Sequence, residues 1–412
     1  PIALCYDTRM QEPRLTISPG MRRLLDYGKF RGTTRMLILT TQYFFDTSWV
    51  RAAESLGWKT ATVPSAMVGG ITSDQLRQLF TVLTEFKPDF ILTSNFSGMD
   101  ALGIFGRFFE DARIPYVSWF TDTPRMILYE RVVHCSYYTV AATWERAYEP
   151  HLRNLGFQHV FFMPHATDPF LFRGTPACIP DRPVAFVGTS MIKQAEEAWD
   201  VLEESVDLFD AVRCAFEEGR VTRGSFARGV ETIIDAELLS RCDARQRRHV
   251  ELCIVYEGTR RMREALVRAL APINIEVRGD AEWGRIHGNV DGDLNYFKDL
   301  APYYRSTAVN VNVTSLQMFT SVNQRVFDCP AAGGFLITDA QSDLYELFEV
   351  GTEAVTYDTF EELADKTRHF LRRPDLRRAV IEKAQRRIAA QHTHAHRLQS
   401  LEAFLKERYA NG

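Results

Sequence analysis

The chain has 412 residues, 45% of them hydrophobic and 25% charged, which is enough for two soluble domains with separate cores. Its net charge of −4 argues against nucleic acid as the main partner. Its seven cysteines are widely spaced and lack a CxxC pair, which argues against disulfides or zinc and favours a reducing cytoplasm. No apolar run approaches the roughly 18 residues that span a bilayer, and no signal peptide opens the chain, so we expect at most peripheral membrane contact.

The first 172 residues alternate short apolar runs with amphipathic ones, which predicts a first domain built on a doubly wound parallel α/β sheet. Residues 1–34 are locally basic and are expected to form a solvated arm or a small hairpin. The alternative for this stretch is a docking surface for an acidic acceptor or a membrane. The predicted strands cover residues 35–41, 60–63, 90–93, 116–120, 138–142 and 160–164, and the predicted helices cover 46–56, 73–86 and 144–156.

Asp122 is the candidate catalytic residue of the first domain. It follows the predicted strand 116–120, and ligand sites collect where parallel strands end. A carboxylate at this place can take a proton from an attacking hydroxyl group. The alternative is a turn or cap aspartate before a helix that starts at Pro124.

Residues 173–183 contain three prolines and one glycine and are predicted to be the linker to a second domain, residues 184–412. A strand at 184–188 opens this domain, and Gly188 and Thr189 follow it at a place where a backbone can approach a phosphate. Residues 190–259 are helical by pattern. Further strands are predicted at 273–277 and 335–338, and the last helices at 360–371, 375–391 and 394–409.

The segment 303–339 reads as strand, loop, helix, strand. Val309, Val311 and Val313 alternate with asparagines, which predicts a strand with one apolar face, and a short helix follows over 323–332. The loop before such a helix favours an anion such as a diphosphate, because backbone N–H groups and the positive end of the helix dipole meet there.

Arg325 and Asp328 are three residues apart and share a helix face. A guanidinium group suits a phosphate, and a carboxylate accepts hydrogen bonds from vicinal hydroxyls, so a nucleoside diphosphate would satisfy both. Asn323 is expected to contact the diphosphate together with Arg325. Gly333 and Gly334 end the helix and allow a close approach of the backbone.

Two runs, NQRVFDCPAAGGFLITD and the segment from DLYELFEVG to HTHAHRL, resemble the C-terminal half of the CgeB-like glycosyltransferases. RIPYVSWFTDTPRMIL resembles the accompanying N-terminal domain. The resemblance implies a GT-B fold related to group 1 glycosyltransferases, with two Rossmann-like domains facing a cleft. It implies a metal-independent, hexosyltransferase-like enzyme without a cofactor. The expected donor is a nucleotide-diphosphate sugar, preferably a UDP sugar, and the expected acceptor is a protein, polysaccharide or other cell-surface molecule.

The resemblance also places several residues. His165 would lie on the segment that leaves the first domain along the cleft, although a hydrogen-bonded loop histidine is the alternative. Gly279 and Asp280 would lie near the donor. Asn323, Arg325, Asp328 and Gly334 complete the expected donor site. Residues 190–259 become a helical insertion, either a lid or acceptor-recognition element or simply added bulk.

The sequence departs from the group 1 pattern of two glutamates separated by seven residues, because Thr320 and Asp328 occupy those positions. This leaves two alternatives open, a sugar-nucleotide epimerase or hydrolase of the same fold and a catalytically lapsed sugar-nucleotide-binding protein. Inversion and retention at the sugar are not distinguished. No metal site is expected, since no DxD motif or carboxylate cluster accompanies the phosphate site, and His392, His394 and His396 are spaced by two.

Overall fold

The computed structural model describes residues 3–6, 13–41, 44–65, 72–129 and 131–410. The chain divides into two compact units. The first comprises Pro1–Pro164 and His394–Gly412, and the second comprises His165–Thr393. This differs from the predicted division at residues 173–183, both in where the second unit begins and in where the end of the chain belongs.

The elements of the first 164 residues follow the predicted alternation of strands and helices. They are β1 (Ala3–Tyr6), β2 (Pro13–Thr16), α1 (Pro19–Leu25), β3 (Arg35–Thr40), α2 (Phe44–Ser55), β4 (Lys59–Pro64), α3 (Ser73–Glu85), β5 (Phe90–Ser94), α4 (Ile104–Asp111), β6 (Tyr116–Phe120), α5 (Pro124–Ile127), β7 (Thr139–Thr143), α6 (Glu149–Asn154) and β8 (His159–Phe162).

The remaining elements belong to the second unit except for the last helix. They are β9 (Arg182–Val187), α7 (Ile192–Glu203), α8 (Val206–Glu217), α9 (Arg223–Arg228), α10 (Ala236–Ser240), α11 (Ala244–Leu270), β10 (Glu276–Arg278), β11 (Val290–Asp291), α12 (Leu300–Arg305), β12 (Thr307–Val311), α13 (Arg325–Ala331), β13 (Leu336–Asp339), α14 (Leu344–Leu347), β14 (Val355–Tyr357), α15 (Phe360–Leu371), α16 (Pro374–Gln391) and α17 (His394–Tyr409).

The first unit is built on a six-stranded sheet in the order β4-β3-β5-β6-β7-β8, with every neighbouring pair parallel. The central strands β5, β6 and β7 are buried along their whole length, as strands covered by helices on both faces are. β1 and β2 pair antiparallel, so the basic opening stretch contains the expected small hairpin.

The last helix, α17, belongs to the first unit, which corrects the assignment of all of 184–412 to the second domain. Leu398, Leu401 and Leu405 are buried in the same core as Trp49 and Trp119. These leucines recur every three or four residues, which puts them on one face of the helix. The periodicity predicts the helix but does not say which core receives its apolar face.

The second unit is built on a six-stranded sheet in the order β11-β10-β9-β12-β13-β14, again with every neighbouring pair parallel. β12 is buried on both faces, and not on one as its alternating sequence suggests. Asn310 is accommodated because its Nδ2 donates to the carbonyl oxygens of Tyr304 and Phe335 at 3.0 and 3.1 Å.

The helical insertion is present, but its predicted end at residue 259 is not an element boundary. α11 runs without a break from Ala244 to Leu270, so the helix that ends the insertion continues beyond residue 259. An aspartate cap at Asp243 starts α11, since its side chain accepts a hydrogen bond from the backbone N–H of Gln246. Within the described ranges, every helix is too short or too polar to span a bilayer.

Candidate functional site

Most of the predicted donor-binding residues meet at the carboxyl edge of the second sheet. Gly188 follows β9, Gly279 follows β10, and Asn312 follows β12. Since these strands are parallel, the three segments open at the same edge, which is where open α/β sheets bind ligands.

Gly188 and Gly279 lie in close backbone contact. A β-carbon at Gly279 would stand 2.2 Å from the carbonyl oxygen of Gly188, so a larger residue at 279 would displace the loop. Trp283 Nε1 donates to the same oxygen at 2.8 Å. Asp280 accepts from the backbone nitrogen and hydroxyl of Ser190 at 2.6 and 2.7 Å. Asp280 therefore holds the loop after β9 in place.

Arg263, on α11, lies beside this loop, and no motif in the sequence indicates it. Its Nη1 donates to both the carbonyl oxygen and the hydroxyl oxygen of Thr189, each at 2.8 Å. Burial and the neighbouring positive charge of Arg325 lower the pKa of Arg263 to about 10, and Asp280 opposes this shift. Its Nε is buried without a hydrogen-bond partner in the described part of the chain.

Arg325 begins α13, and its guanidinium group donates to Asn312 Oδ1 and to the carbonyl oxygen of Val187. Asn323 also donates to Asn312 Oδ1, at 3.1 Å, and Asn312 Nδ2 donates back to Asn323 Oδ1 at 3.3 Å. Buried Asn312 thus joins the two residues predicted to contact a diphosphate. The alternation of valine and asparagine along β12 was the only signal for it in the sequence.

Arg263 and Arg325 are close enough to influence each other, yet neither forms a salt bridge within the described residues. Two guanidinium groups near a glycine-containing loop create a positive potential that a bound anion would offset. The arrangement therefore suits a diphosphate at the carboxyl edges of β9 and β12.

Asp328 does not face the crevice, which corrects its predicted role as a ribose contact. It is 2% exposed, and its two oxygens accept hydrogen bonds from Thr167 Oγ1 at 2.6 Å and from the Tyr296 hydroxyl at 3.0 Å. Burial raises the pKa of Asp328 to about 8, although both hydrogen bonds favour the charged form. The spacing of three residues puts Arg325 and Asp328 on the same helix but does not show that the aspartate points into the protein.

The buried Asp328 should make stability depend on pH. An unfolded aspartate loses its proton near pH 3.8, whereas the folded protein keeps it up to about pH 8. Between these values the folded state binds more protons, so the free energy of unfolding falls as pH rises. Asp328→Asn, which cannot ionise, should lose less stability than the unsubstituted protein between pH 5 and pH 8. Urea unfolding at both pH values tests this, with exposed Asp365→Asn as the control; equal losses in all three proteins would contradict it.

Gly333 and Gly334 are not at the donor edge, which corrects their prediction as donor contacts. They precede β13 and therefore lie at the amino edge of the sheet, opposite to Gly188 and Gly279. A β-carbon at Gly333, whose φ is +90°, would meet the backbone of Thr175 at 2.8 Å, and one at Gly334 would meet the carbonyl oxygen of Tyr304 at 2.9 Å. The lack of a side chain at both positions allows the backbone to pack closely against Thr175 and Tyr304.

Asp122 lies just after β6, at the carboxyl edge of the first sheet, as predicted. Asn95, which follows β5, donates from Nδ2 to Asp122 Oδ2 at 2.8 Å and accepts from the Asp122 backbone nitrogen at 3.2 Å. The side chain of Asp122 is partly exposed. A neighbouring amide thus orients a carboxylate that remains accessible. His165 belongs to the second unit and is 2% exposed, so it is enclosed and does not present an open face to a substrate.

The helical insertion is bound to the carboxyl edge of the second sheet. Arg223 on α9 donates to Asp339 Oδ2 at 2.6 Å and to the hydroxyl and carbonyl oxygens of Thr314 at 2.6 and 2.9 Å. Phe226 packs edge-on against Phe319, with ring centroids 5.7 Å apart. The insertion therefore covers the loop between β12 and α13. Across the described residues, no three His, Cys, Asp or Glu side chains are grouped so as to hold a metal ion.

Residues 248–403 match the family model described as glycosyl transferase-like. No curated protein matches the sequence. A sucrose-phosphate synthase from Thermosynechococcus elongatus has a similar structure, with a TM-score of 0.53 and 11% identity, covering 92% of this chain and 100% of that one. A glycosyltransferase from Rickettsia africae has a TM-score of 0.52 and 9% identity, covering 93% and 100%.

The solved structures confirm the predicted fold, and the family model covers the strand, loop and helix that hold Asn312, Asn323 and Arg325. The match over residues 248–403 indicates the activity, because solved structures at 9% and 11% sequence identity show the fold alone. The chain has the GT-B fold and a glycosyl transferase-like domain over residues 248–403, and its activity is the transfer of a sugar from a nucleotide sugar.

Proposed function

We propose that the second unit binds a UDP sugar at the carboxyl edges of β9, β10 and β12, and that the sugar passes to a protein, polysaccharide or other cell-surface acceptor. The observation that carries this proposal is the pair Arg263 and Arg325 beside the Gly188 loop. Both guanidinium groups lack a carboxylate within salt-bridge distance among the described residues, and one buried N–H of Arg263 lacks a partner there. A diphosphate supplies the missing acceptors and negative charge.

The reaction breaks the bond between the anomeric carbon and a phosphate oxygen and forms a bond from that carbon to an acceptor oxygen. Negative charge grows on the leaving diphosphate, and the two arginines are positioned to stabilise it. We propose that these two positive charges suffice for this stabilisation and that the enzyme is therefore metal-independent. With inversion at the anomeric carbon, Asp122 accepts the proton that the acceptor hydroxyl loses.

Three finer assignments belong to the same proposal. We place the protein in the CgeB-like group because of the segment from Asn323 to Asp339. We place it in the cytoplasm because its cysteines are odd in number and lack paired spacing. We assign acceptor recognition to the helical insertion, which Arg223 ties to the carboxyl edge next to the donor loop.

The function is tested by binding first and turnover second. Isothermal titration with UDP, GDP, ADP and CMP identifies the nucleotide, and we expect UDP to bind most tightly. The purified protein is then incubated with UDP sugars, with and without a mixture of glycan and protein acceptors, while free UDP and transferred sugar are measured.

Transfer that depends on an added acceptor supports the glycosyltransferase. Release of UDP at the same rate with and without acceptor, or a changed sugar on intact donor, indicates the hydrolase or epimerase instead. Tight UDP binding with no turnover of any donor indicates a lapsed enzyme. Full loss of transfer in EDTA, restored by manganese or magnesium, would overturn the metal-independent mechanism.

A further inference from the structure

A second concave site lies at the amino edge of the first sheet, and we name it the amino-edge groove. Its walls are residues 25–31 before β3, Arg113 before β6, Tyr137 and Tyr138 before β7, and the end of α17 at Arg408 and Tyr409. Its volume of about 430 Å³ is that of a small-molecule site. Asp122 follows β6 and so lies at the opposite edge of the same sheet. The groove is therefore separate from the proposed catalytic edge.

The amino-edge groove is strongly positive. Four cationic side chains line it: Lys29, Arg31, Arg113 and Arg408. Among the described residues of its wall, Asp26 is the one carboxylate. Arg408 is paired with the exposed carboxylate of Glu407. Within the described residues, no carboxylate forms a salt bridge with Lys29, Arg31 or Arg113. The excess charge favours an anionic ligand.

Lys29 is the most buried cation of the groove. It is 5% exposed, its Nζ donates to the carbonyl oxygen of Tyr27 at 3.0 Å, and Nζ lies 3.5 Å from the centre of the Tyr27 ring. Burial lowers the pKa of Lys29 to about 8; nearby Arg35 and Arg113 add to this shift, and Asp89 and Asp26 oppose it. A buried ammonium group with one hydrogen bond retains capacity for an anion.

The other wall of the groove is aromatic and internally braced. Tyr138 stacks on Tyr409 with ring centroids 5.5 Å apart, and Tyr137 meets Tyr409 edge-on at 5.3 Å. The Tyr409 hydroxyl donates to the carbonyl oxygen of Tyr137 at 2.6 Å. Rigid tyrosine faces next to cations suit a ligand that joins a ring to an anionic group.

We propose that the amino-edge groove binds a small phosphorylated sugar, with its phosphate held by Lys29, Arg31 and Arg113 and its ring against Tyr138. The site is independent of the donor site, because its residues lie in the other unit and on the other edge of a different sheet. It gives the enzyme a second site for a phosphate ester besides the donor.

The test uses the full chain and two probes, inorganic phosphate and glucose 6-phosphate, with binding measured by isothermal titration. Arg31→Gln/Arg113→Gln removes two exposed charges and should weaken both probes by about tenfold or more. Arg77→Gln/Arg153→Gln removes the same charge from exposed positions outside the groove and should leave both affinities unchanged. Tyr138→Leu should weaken the binding of glucose 6-phosphate and leave the binding of inorganic phosphate unchanged. Circular dichroism confirms that each variant is folded.

Four results would overturn the proposal. The first is that neither probe binds to the unsubstituted protein, and the second is that the control double variant weakens probe binding equally, which indicates a general charge effect. The third is that Arg325→Ala abolishes glucose 6-phosphate binding, which places this ligand in the donor site. The fourth is that the protein binds vesicles containing anionic phospholipid but neither soluble probe, and that the groove variant loses this vesicle binding. The last result would assign the groove to a membrane surface.

Discussion

Replacing Asp122 by asparagine should lower the turnover number for sugar transfer by about 10²- to 10⁴-fold, the usual contribution of a general base. Asparagine has nearly the same shape, so the loop after β6 should keep its conformation while losing the proton acceptor. Asn95, which donates to Asp122 Oδ2 at 2.8 Å, then faces an amide in place of a carboxylate. The affinity for nucleoside diphosphate should not change, because Arg263 and Arg325 remain.

The measurement is steady-state transfer with saturating donor, together with titration of the nucleoside diphosphate. Asp111→Asn, an exposed aspartate at the end of α4, is the matched control and should transfer at the normal rate. If folded Asp122→Asn transfers as fast as the control, Asp122 is a turn residue and the inverting mechanism drawn through it is wrong.

Arg325→Ala should weaken nucleoside diphosphate binding by about 1.5 to 3 kcal/mol, the usual contribution of a hydrogen bond to a charged group, which is more than tenfold in affinity. Arg263→Ala should have an effect of the same order, because its guanidinium group lies beside the same loop. Arg325→Lys keeps the positive charge but loses the planar guanidinium group, so its affinity for the nucleoside diphosphate should lie between those of Arg325→Ala and the unsubstituted protein.

The control for both arginines is Arg268→Ala, on α11 with Arg263 but exposed, where the affinity should be unchanged. Arg325 also donates to Asn312 and to Val187, so thermal unfolding must show that the variant folds before its affinity is interpreted. If folded Arg263→Ala and Arg325→Ala bind the nucleoside diphosphate with unaltered affinity, the diphosphate does not bind at this edge of the sheet.

The structure places a carboxylate group beside Thr320, the residue that departs from the group 1 pattern of two glutamates. Its hydroxyl donates to Asp343 Oδ2 at 3.1 Å, and its carbonyl oxygen accepts from the Asp343 backbone nitrogen at 2.8 Å. A carboxylate is therefore present next to the position where many group 1 enzymes have a glutamate, but it comes from the segment after β13. This weakens the argument from Thr320 for a lapsed enzyme.

Local sequence patterns determined the strands and helices because periodicity and caps act within a few residues. The predicted strand 35–41 is β3, the predicted helix 73–86 is α3, and Gly188 and Gly279 follow strands whose carboxyl ends form one edge. The parallel sheet of the first unit followed from the alternation of strands and helices, whereas the order of its strands comes from the structure.

The tertiary structure decided which side chains meet at that edge. Arg263 is one of several arginines on α11, and Glu257 and Glu264 pair with its neighbours, so no local pattern distinguishes it. The inward direction of Asp328 and the docking of α17 in the first core depend on partners more than 30 residues distant in the chain, Thr167 for the first and Trp119 for the second. Such long-range contacts are set by the packing of whole elements, which helix and strand periodicity does not encode.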